Sequence, residues 1–166
     1  ELSRRTGIPR AAVRRCLYTL SRLGLAGSDD GKTFSLRPKI LGLGHAYLSS
    51  TPLATSAQPL LDRISGVLEE SSSIALLEGD EILYVARSST THRIMSVDLS
   101  IGTRLPAYCT SMGRVLLAHL APAALDDYLR RVRPVAHTPR TIVAPERLRK
   151  VLAGVAADGH AVVDQE

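Results

Sequence analysis

The first 36 residues place two helical patterns on either side of a glycine and a proline, and this order leaves few folds open. Residues 2–6 read as a short helix that Gly7 can end. Pro9 suits the first turn of a second helix, because the N–H that proline lacks would have no partner there. Apolar residues then recur at helical spacing up to Gly24, namely Val13, Cys16, Leu17, Leu20 and Leu23. Two helices joined by a short glycine-containing turn predict a helix-turn-helix.

A β-hairpin is predicted directly after the second helix. Leu25 and Ala26 form a short extended piece, and residues 33–36 alternate as a strand does. Between them lies Asp29-Asp30-Gly31-Lys32, whose Asp-Gly pair is typical of a tight hairpin turn. A two-stranded wing in this place makes the domain, residues 1–37, a winged helix-turn-helix. We expect a linker helix in residues 38–52, within which residues 49–52 are the best linker candidate.

Residues 53–166 predict a second domain, so that the fold class is α+β with an antiparallel sheet. An amphipathic helix over residues 53–70 precedes a hairpin around Glu78-Gly79-Asp80-Glu81. The remaining predicted elements are a strand at 93–99, a turn at 102–106, helices at 110–120, 122–132 and 145–158, and a strand at 161–163. With one Phe, five Tyr and no Trp in the chain, we expect an aliphatic core.

Charge is distributed unevenly between these two domains. Residues 1–37 hold eight basic and three acidic side chains, whereas residues 38–166 hold thirteen of each. The whole excess of +5 therefore belongs to the first quarter of the chain. Such an asymmetry indicates a polyanionic partner for that segment.

The composition also excludes several classes of protein. No run of about 18 apolar residues is present, so we expect no membrane span. No signal-peptide pattern opens the chain, and the two cysteines are far apart, which favours a reducing cytoplasm. The chain begins inside a helical pattern and stops inside a strand-like one, so we expect further elements on both sides.

The second helix has the residue types that read DNA. Arg10 and Arg14 lie one turn apart, and Arg15 lies beside them, while Ala11 leaves room for close approach. Arginine can bind guanine or a phosphate through two hydrogen bonds, and a helix fits the major groove. A solvated polar helix face is the alternative interpretation of such a charge run. The predicted DNA contacts are Arg10, Ala11, Arg14, Arg15 and Tyr18 on the helix and Lys32 in the wing.

A second candidate site lies in residues 106–113. Thr110 or Ser111 can cap the helix that follows, and the first amides of a helix attract anions such as a carboxylate. Spacing alone more often indicates a simple capped helix start, or core packing for the apolar residues nearby. The candidate ligand contacts are Met95, Leu99, Tyr108, Thr110, Ser111 and Met112.

Catalytic and metal sites find little support in the sequence. Cys109 could act as a nucleophile beside His119, His137 or His160, but no spacing places them together. The histidines show no metal-ligand spacing, and neither a P-loop nor a GxGxxG motif is present. We therefore expect no catalytic residue, metal or cofactor.

Two long motifs resemble one family of transcription factors. The segment Gly7-Ile8-Pro9-Arg10-Ala11-Ala12-Val13-Arg14-Arg15 resembles the recognition helix of IclR-type regulators. Residues 101–118, which include Pro106-Ala107-Tyr108-Cys109-Thr110-Ser111-Met112-Gly113-Arg114, resemble the effector domain of that family. Both are most similar to the branch that controls aromatic-acid breakdown through the β-ketoadipate pathway.

The resemblance implies properties that periodicity could not give. Family members join a winged helix-turn-helix, through a linker helix used in dimerisation, to a GAF-like effector domain. As homodimers or homotetramers they bind palindromic operators, and small organic acids bind near the segment matching Ser111-Met112. The family has no enzymatic role. The alternative left open is a DNA-binding protein whose second domain serves only oligomerisation.

Overall fold

The computed structural model describes residues 1–89 and 99–166. They divide into two compact units, Glu1–Thr55 and Ser56–Glu166. Each unit combines helices with a small antiparallel sheet, which confirms the α+β class.

The amino-terminal unit opens with the expected pair of helices. Helix α1 (Leu2–Thr6) ends at Gly7, whose φ of 69° is a left-handed conformation that glycine adopts without steric cost. Helix α2 (Arg10–Arg22) begins one residue after Pro9. The predicted helix-turn-helix is therefore confirmed, and Pro9 stands just before the first helical turn rather than inside it.

A short hairpin follows α2. Strands β1 (Ala26–Gly27) and β2 (Ser35–Leu36) pair antiparallel, with Ala26 opposite Leu36. The hairpin is present as predicted, although its strands are shorter than the extended pattern. We call residues 26–36 the wing.

Two helices connect the wing to the second sheet. Helix α3 (Ile40–Ser50) is followed after one residue by α4 (Pro52–Leu68). Of the candidate linker residues 49–52, only Thr51 is not helical. The hydroxyls of Ser50 and Thr51 donate to the carbonyl of Tyr47 at 3.0 and 2.7 Å, which keeps this segment against the end of α3.

The carboxy-terminal unit contains a sheet of order β3-β4-β5, formed by Ser72–Glu78, Glu81–Ser88 and Arg104–Pro106. The predicted hairpin is confirmed, with Glu78 opposite Glu81. The interpretation of residues 102–106 as a turn is wrong at its end, because 104–106 pair with β4 as β5. Three residues ending in proline are too short to show alternation, and only the neighbouring strand stabilises them as a strand.

Helices α5 (Ser111–Ala118), α6 (Pro122–Arg131) and α7 (Pro145–Asp158) lie where periodicity predicts them. The expectation of an aliphatic core is wrong in part, because Tyr84, Tyr108 and Tyr128 are buried in it. The core cluster of this unit consists of Ile82, Tyr84, Ala107, Tyr108, Leu117, Tyr128, Leu129, Val132, Ile142, Leu148 and Leu152.

The two remaining predicted strands have different outcomes. The strand at 161–163 is wrong, since no strand of the described residues pairs with it. The residues that follow it make side-chain contacts instead, in which Asp164 pairs with Arg140 and Glu166 with Arg114. Of the strand at 93–99, only Leu99 belongs to the described residues.

Candidate functional sites

Helix α2 presents its arginines to solvent without neutralising them. The side chains of Arg10, Arg14 and Arg15 are exposed, as are Ala11 and Tyr18. Within the two described segments, no carboxylate lies within 4.0 Å of an α2 guanidinium. An exposed arginine with no acidic partner is free to bind a phosphate or a base edge. The structure thus brings together on one helix face all five predicted contacts of α2.

The wing turn is built on one carboxylate. Asp30 accepts hydrogen bonds from the amides of Lys32 and Thr33 at 2.8 and 2.7 Å, and from the hydroxyls of Ser28 and Thr33. The hydrogen bond from the amide of Thr33 has the largest effect on the carboxylate, followed by that from the amide of Lys32. They lower the pKa of Asp30 to about 2. The turn leaves the side chain of Lys32, the sixth predicted contact, exposed at the tip of the wing.

The second candidate site is the start of α5. After β5, a single 3₁₀ turn (Ala107–Cys109) leads to Thr110, whose Oγ1 accepts a hydrogen bond from the amide of Gly113 at 3.1 Å. The predicted cap is therefore Thr110, and Ser111 is the first helical residue. The amides of Ser111 and Met112 fall in the first turn, where an α-helix supplies no backbone acceptor. They are the donors that a carboxylate would need.

Close packing fixes this turn against the helix. A Cβ at Gly113 would lie 2.2 Å from the carbonyl oxygen of Ala107 and 2.5 Å from its Cα. Because both are backbone atoms, no side-chain movement could relieve the clash. Only glycine allows the 3₁₀ turn to lie this close to α5.

Tyr108 is placed differently from a surface ligand contact. It is 4% exposed and packs in the core. Its hydroxyl donates to the carbonyl of Val135 at 2.9 Å and accepts from the amide of Val135 at 3.0 Å, while Nε2 of His137 lies 3.1 Å away. Burial raises the pKa of the phenol, which keeps it neutral. In this structure Tyr108 holds residues 135–137, and an effector contact from it stays a prediction.

The other predicted effector contacts are partly buried. Leu99 and Met112 pack against the core cluster, whereas Met95 lies outside the described residues. Thr110 and Ser111 are half-buried at the start of α5. The structure therefore brings Thr110, Ser111 and Met112 together at one helix end.

The sequence patterns did not predict a buried ion pair at this helix. The Arg114 guanidinium, 3% exposed, donates from Nε to the carbonyl of Tyr108 at 3.0 Å and from Nη2 to Glu166 at 2.5 Å. The Glu166 carboxylate also accepts from the amide of Ile142 at 3.2 Å. One signal was available, since Arg114 stands three residues before Leu117 on the inward face of α5. A cation at that spacing requires a buried acidic partner.

Among the described residues, Cys109 is not activated as a nucleophile. Burial raises the pKa of the Cys109 thiol, which disfavours the nucleophilic thiolate. In the part of the chain that the structure describes, no three His, Cys, Asp or Glu side chains are close enough to bind a metal. Nor does any helix there have the length and apolar character needed to cross a bilayer.

This chain is similar in sequence and in fold to known regulatory proteins. The Pca regulon regulatory protein of Pseudomonas putida is 61% identical over 166 residues, which are 100% of this chain and 57% of that protein. A crystal structure from Rhodococcus sp. RHA1 has 48% identity and a TM-score of 0.77, covering 99% of this chain and 64% of the other. An IclR homolog of Microbacterium hydrocarbonoxydans in complex with 4-hydroxybenzoate has 26% identity and a TM-score of 0.69, covering 95% of this chain and 65% of the other.

Two family models match separate parts of the chain. The IclR helix-turn-helix domain matches residues 1–30, a segment that contains α1 and α2. The C-terminal model of the bacterial transcriptional regulator IclR matches residues 45–166, a segment that contains the second sheet and the Thr110 cap. The resemblance of the two motifs is confirmed, and the chain belongs to the IclR family.

Proposed function

We propose that this chain is the operator-reading and effector-binding part of a transcriptional regulator of aromatic-acid catabolism. The observation that carries the proposal is the exposed arginine face of α2, which has no acidic partner among the described residues and lies within the matched helix-turn-helix. The 61% identical relative is named as the regulator of the Pca regulon. This chain spans 57% of the length of that relative, so the proposal concerns a protein of which it is a part.

In this proposal Arg10, Ala11, Arg14, Arg15 and Tyr18 face the major groove and Lys32 contacts a phosphate. One recognition helix covers one half-site, so a palindromic operator needs a homodimer or homotetramer. Helix α3 supports such an assembly, because Leu43 and Tyr47, which lie one helical turn apart, are 59% and 48% exposed. Neighbouring apolar side chains that are exposed together favour a protein partner. Operator binding would place the protein in the bacterial cytoplasm.

We also propose a functional division into residues 1–37 for DNA binding, 38–52 as linker helix and 53–166 for effector binding. The compact units Glu1–Thr55 and Ser56–Glu166 group the linker with the DNA-binding part. The exposed apolar residues of α3 support a separate linking role within that unit.

The proposed effector is a small aromatic or related carboxylate. The first-turn amides of Ser111 and Met112 would bind its carboxylate, aided by the positive end of the α5 dipole. Leu99, Met112 and Met95 would contact its apolar part, and Tyr108 its ring or hydroxyl. The structure of the Microbacterium homolog with 4-hydroxybenzoate supports this class of ligand.

A domain that serves only oligomerisation is the alternative function, and an enzyme is the least supported. The relatives are named as regulators, and the raised pKa of Cys109 disfavours a thiolate nucleophile. Neither feature distinguishes a sensor from an assembly domain.

A thermal-shift screen of the intact protein separates a sensor from an assembly domain. Candidate ligands are protocatechuate, 4-hydroxybenzoate, β-ketoadipate and simple keto acids. A true effector at about 100 times its Kd should stabilise the protein by roughly 2.7 kcal/mol. The matched amide of an active acid, which lacks the carboxylate, should give no shift. If no acid shifts the melting temperature, the oligomerisation alternative is favoured.

A further inference from the structure

A concave surface separates α2 from the wing. Its volume is about 680 Å³, and we call it the α2–wing groove. Arg14 and Tyr18 line it from α2, and Arg37, the residue directly after the wing, lines it as well. A groove with cationic side chains on two walls fits a negatively charged strand better than an apolar ligand.

Arg37 is held in place at this groove by the backbone. Its amide donates to the carbonyl of Leu25 at 2.9 Å, which ties it to the strand entering the wing. Its guanidinium lies over Gly27, where a Cβ would come within 2.1 Å of Nε and 2.5 Å of Nη2. Gly27 does not have a positive φ, so its backbone conformation does not require glycine. What glycine provides here is space for the guanidinium. The absence of a side chain at residue 27 thus provides a seat for the guanidinium.

Among the described residues, the Arg37 guanidinium has one weak ionic partner. Its Nη2 lies 3.7 Å from Oδ1 of Asp29, whose side chain is fully exposed. Two other charged side chains of this unit have partners of their own. Asp30 accepts hydrogen bonds within the wing turn, and Lys39 donates to the carbonyl of Leu23 at 2.9 Å. An exposed ion pair at this distance contributes little to stability and exchanges readily for a stronger anion.

We propose that Arg37 binds a DNA phosphate in the α2–wing groove and that Asp29 holds its guanidinium until DNA displaces it. This inference rests on the proposed DNA-binding function and adds a residue to it. A phosphate offers oxygens in the geometry that a guanidinium binds through two hydrogen bonds, which Asp29 at 3.7 Å does not. Arg37 thereby contributes affinity without reading sequence, and Asp29 reduces that affinity.

The test for Arg37 is the salt dependence of binding to a random-sequence duplex of about 30 base pairs, since phosphate contacts do not depend on sequence. Arg37→Met in the intact protein should lower affinity roughly three- to tenfold and reduce the slope of log K against log salt by about 0.9. Arg147→Met is the matched control, because it removes an exposed arginine from the other unit. An unchanged slope in Arg37→Met would overturn the inference.

A double-mutant cycle tests whether Asp29 acts through Arg37. Asp29→Asn should raise affinity about 1.4- to 5-fold, the range that corresponds to a surface ion pair. In the Arg37→Met background the same change should have no effect. A gain that persists there would mean that Asp29 only repels DNA, and would refute its role in holding Arg37.

Gly27→Ala tests the seat without changing any charge. The new Cβ displaces the guanidinium, whose flexible side chain makes the displacement cheap for folding. We expect reduced duplex affinity with an unchanged melting temperature, whereas wild-type affinity would show that the seat does not matter. If the wild-type protein binds no duplex at all, the proposed function itself fails. If it binds and the variants behave like wild type, only this inference fails.

Discussion

Helices α2 and α5 use arginine in opposite ways. In α2, Arg10, Arg14 and Arg15 are exposed and have no carboxylate within 4.0 Å among the residues described. In α5, Arg114 is 3% exposed and donates to Glu166. An arginine without an acidic partner is stable only where water solvates its charge, whereas a buried arginine needs a partner for that charge. The arginines of α2 are therefore available to a ligand, whereas Arg114 stabilises the fold.

The largest effect should come from breaking the buried pair. Arg114→Met leaves the Glu166 carboxylate, which is 9% exposed, without its cation. We expect the free energy of unfolding at pH 7 to fall by about 3–5 kcal/mol. Urea unfolding followed by far-UV circular dichroism measures it, with the exposed Arg147→Met as control within about 0.5 kcal/mol of wild type. Equal losses in both variants would remove the distinction between the two kinds of arginine.

The α2 arginines should show the reverse behaviour, with a loss of binding and no loss of stability. Arg14→Ala should weaken operator binding by roughly 1–3 kcal/mol if the side chain contacts a base. Its free energy of unfolding should stay within about 0.5 kcal/mol of wild type, because the side chain is exposed. Fluorescence anisotropy with a selected operator duplex measures the affinity, and Arg147→Ala serves as control. Wild-type affinity in Arg14→Ala would exclude it from the interface.

The start of α5 should be sensitive to its cap. Thr110→Val removes the oxygen that accepts from Gly113, and should cost about 0.5–2 kcal/mol of stability. Thr110→Ser keeps an acceptor and should restore most of it. Isothermal titration with an active acid should show weaker binding to the Val variant, because the first helical turn loses its anchor. Identical affinities for Val and Ser variants would separate the cap from the effector site.

The smallest effect concerns the wing turn and its dependence on pH. The folded pKa of Asp30, about 2, lies below its ordinary value of 3.8. Its contribution to stability is therefore present above pH 3.8 and is lost as the pH falls towards 2. The amide NMR shifts of Lys32 and Thr33 should titrate with a midpoint near 2. A midpoint near 3.8 would mean that Asp30 does not hold the turn.

Local patterns predicted most of the helices and both hairpins. The strand at 161–163 and the end of the turn at 102–106 were wrong, because strand formation depends on a neighbour that is often distant in sequence. Three tyrosines are buried in the core for a related reason, since segments distant in sequence decide which side chains are covered. For Tyr108, the carbonyl of Val135 supplies the acceptor.

Local patterns along the chain account for the helix-turn-helix order, the wing turn, the capped start of α5 and the location of the excess charge. These features follow from interactions within a few residues of the chain, such as a helix period, a glycine turn or a cap. Long-range packing is what places Arg114 against Glu166, 52 residues away, and Arg37 over Gly27. Both pairings depend on close packing of segments, and the spacing of residues along the chain does not specify which distant segments meet.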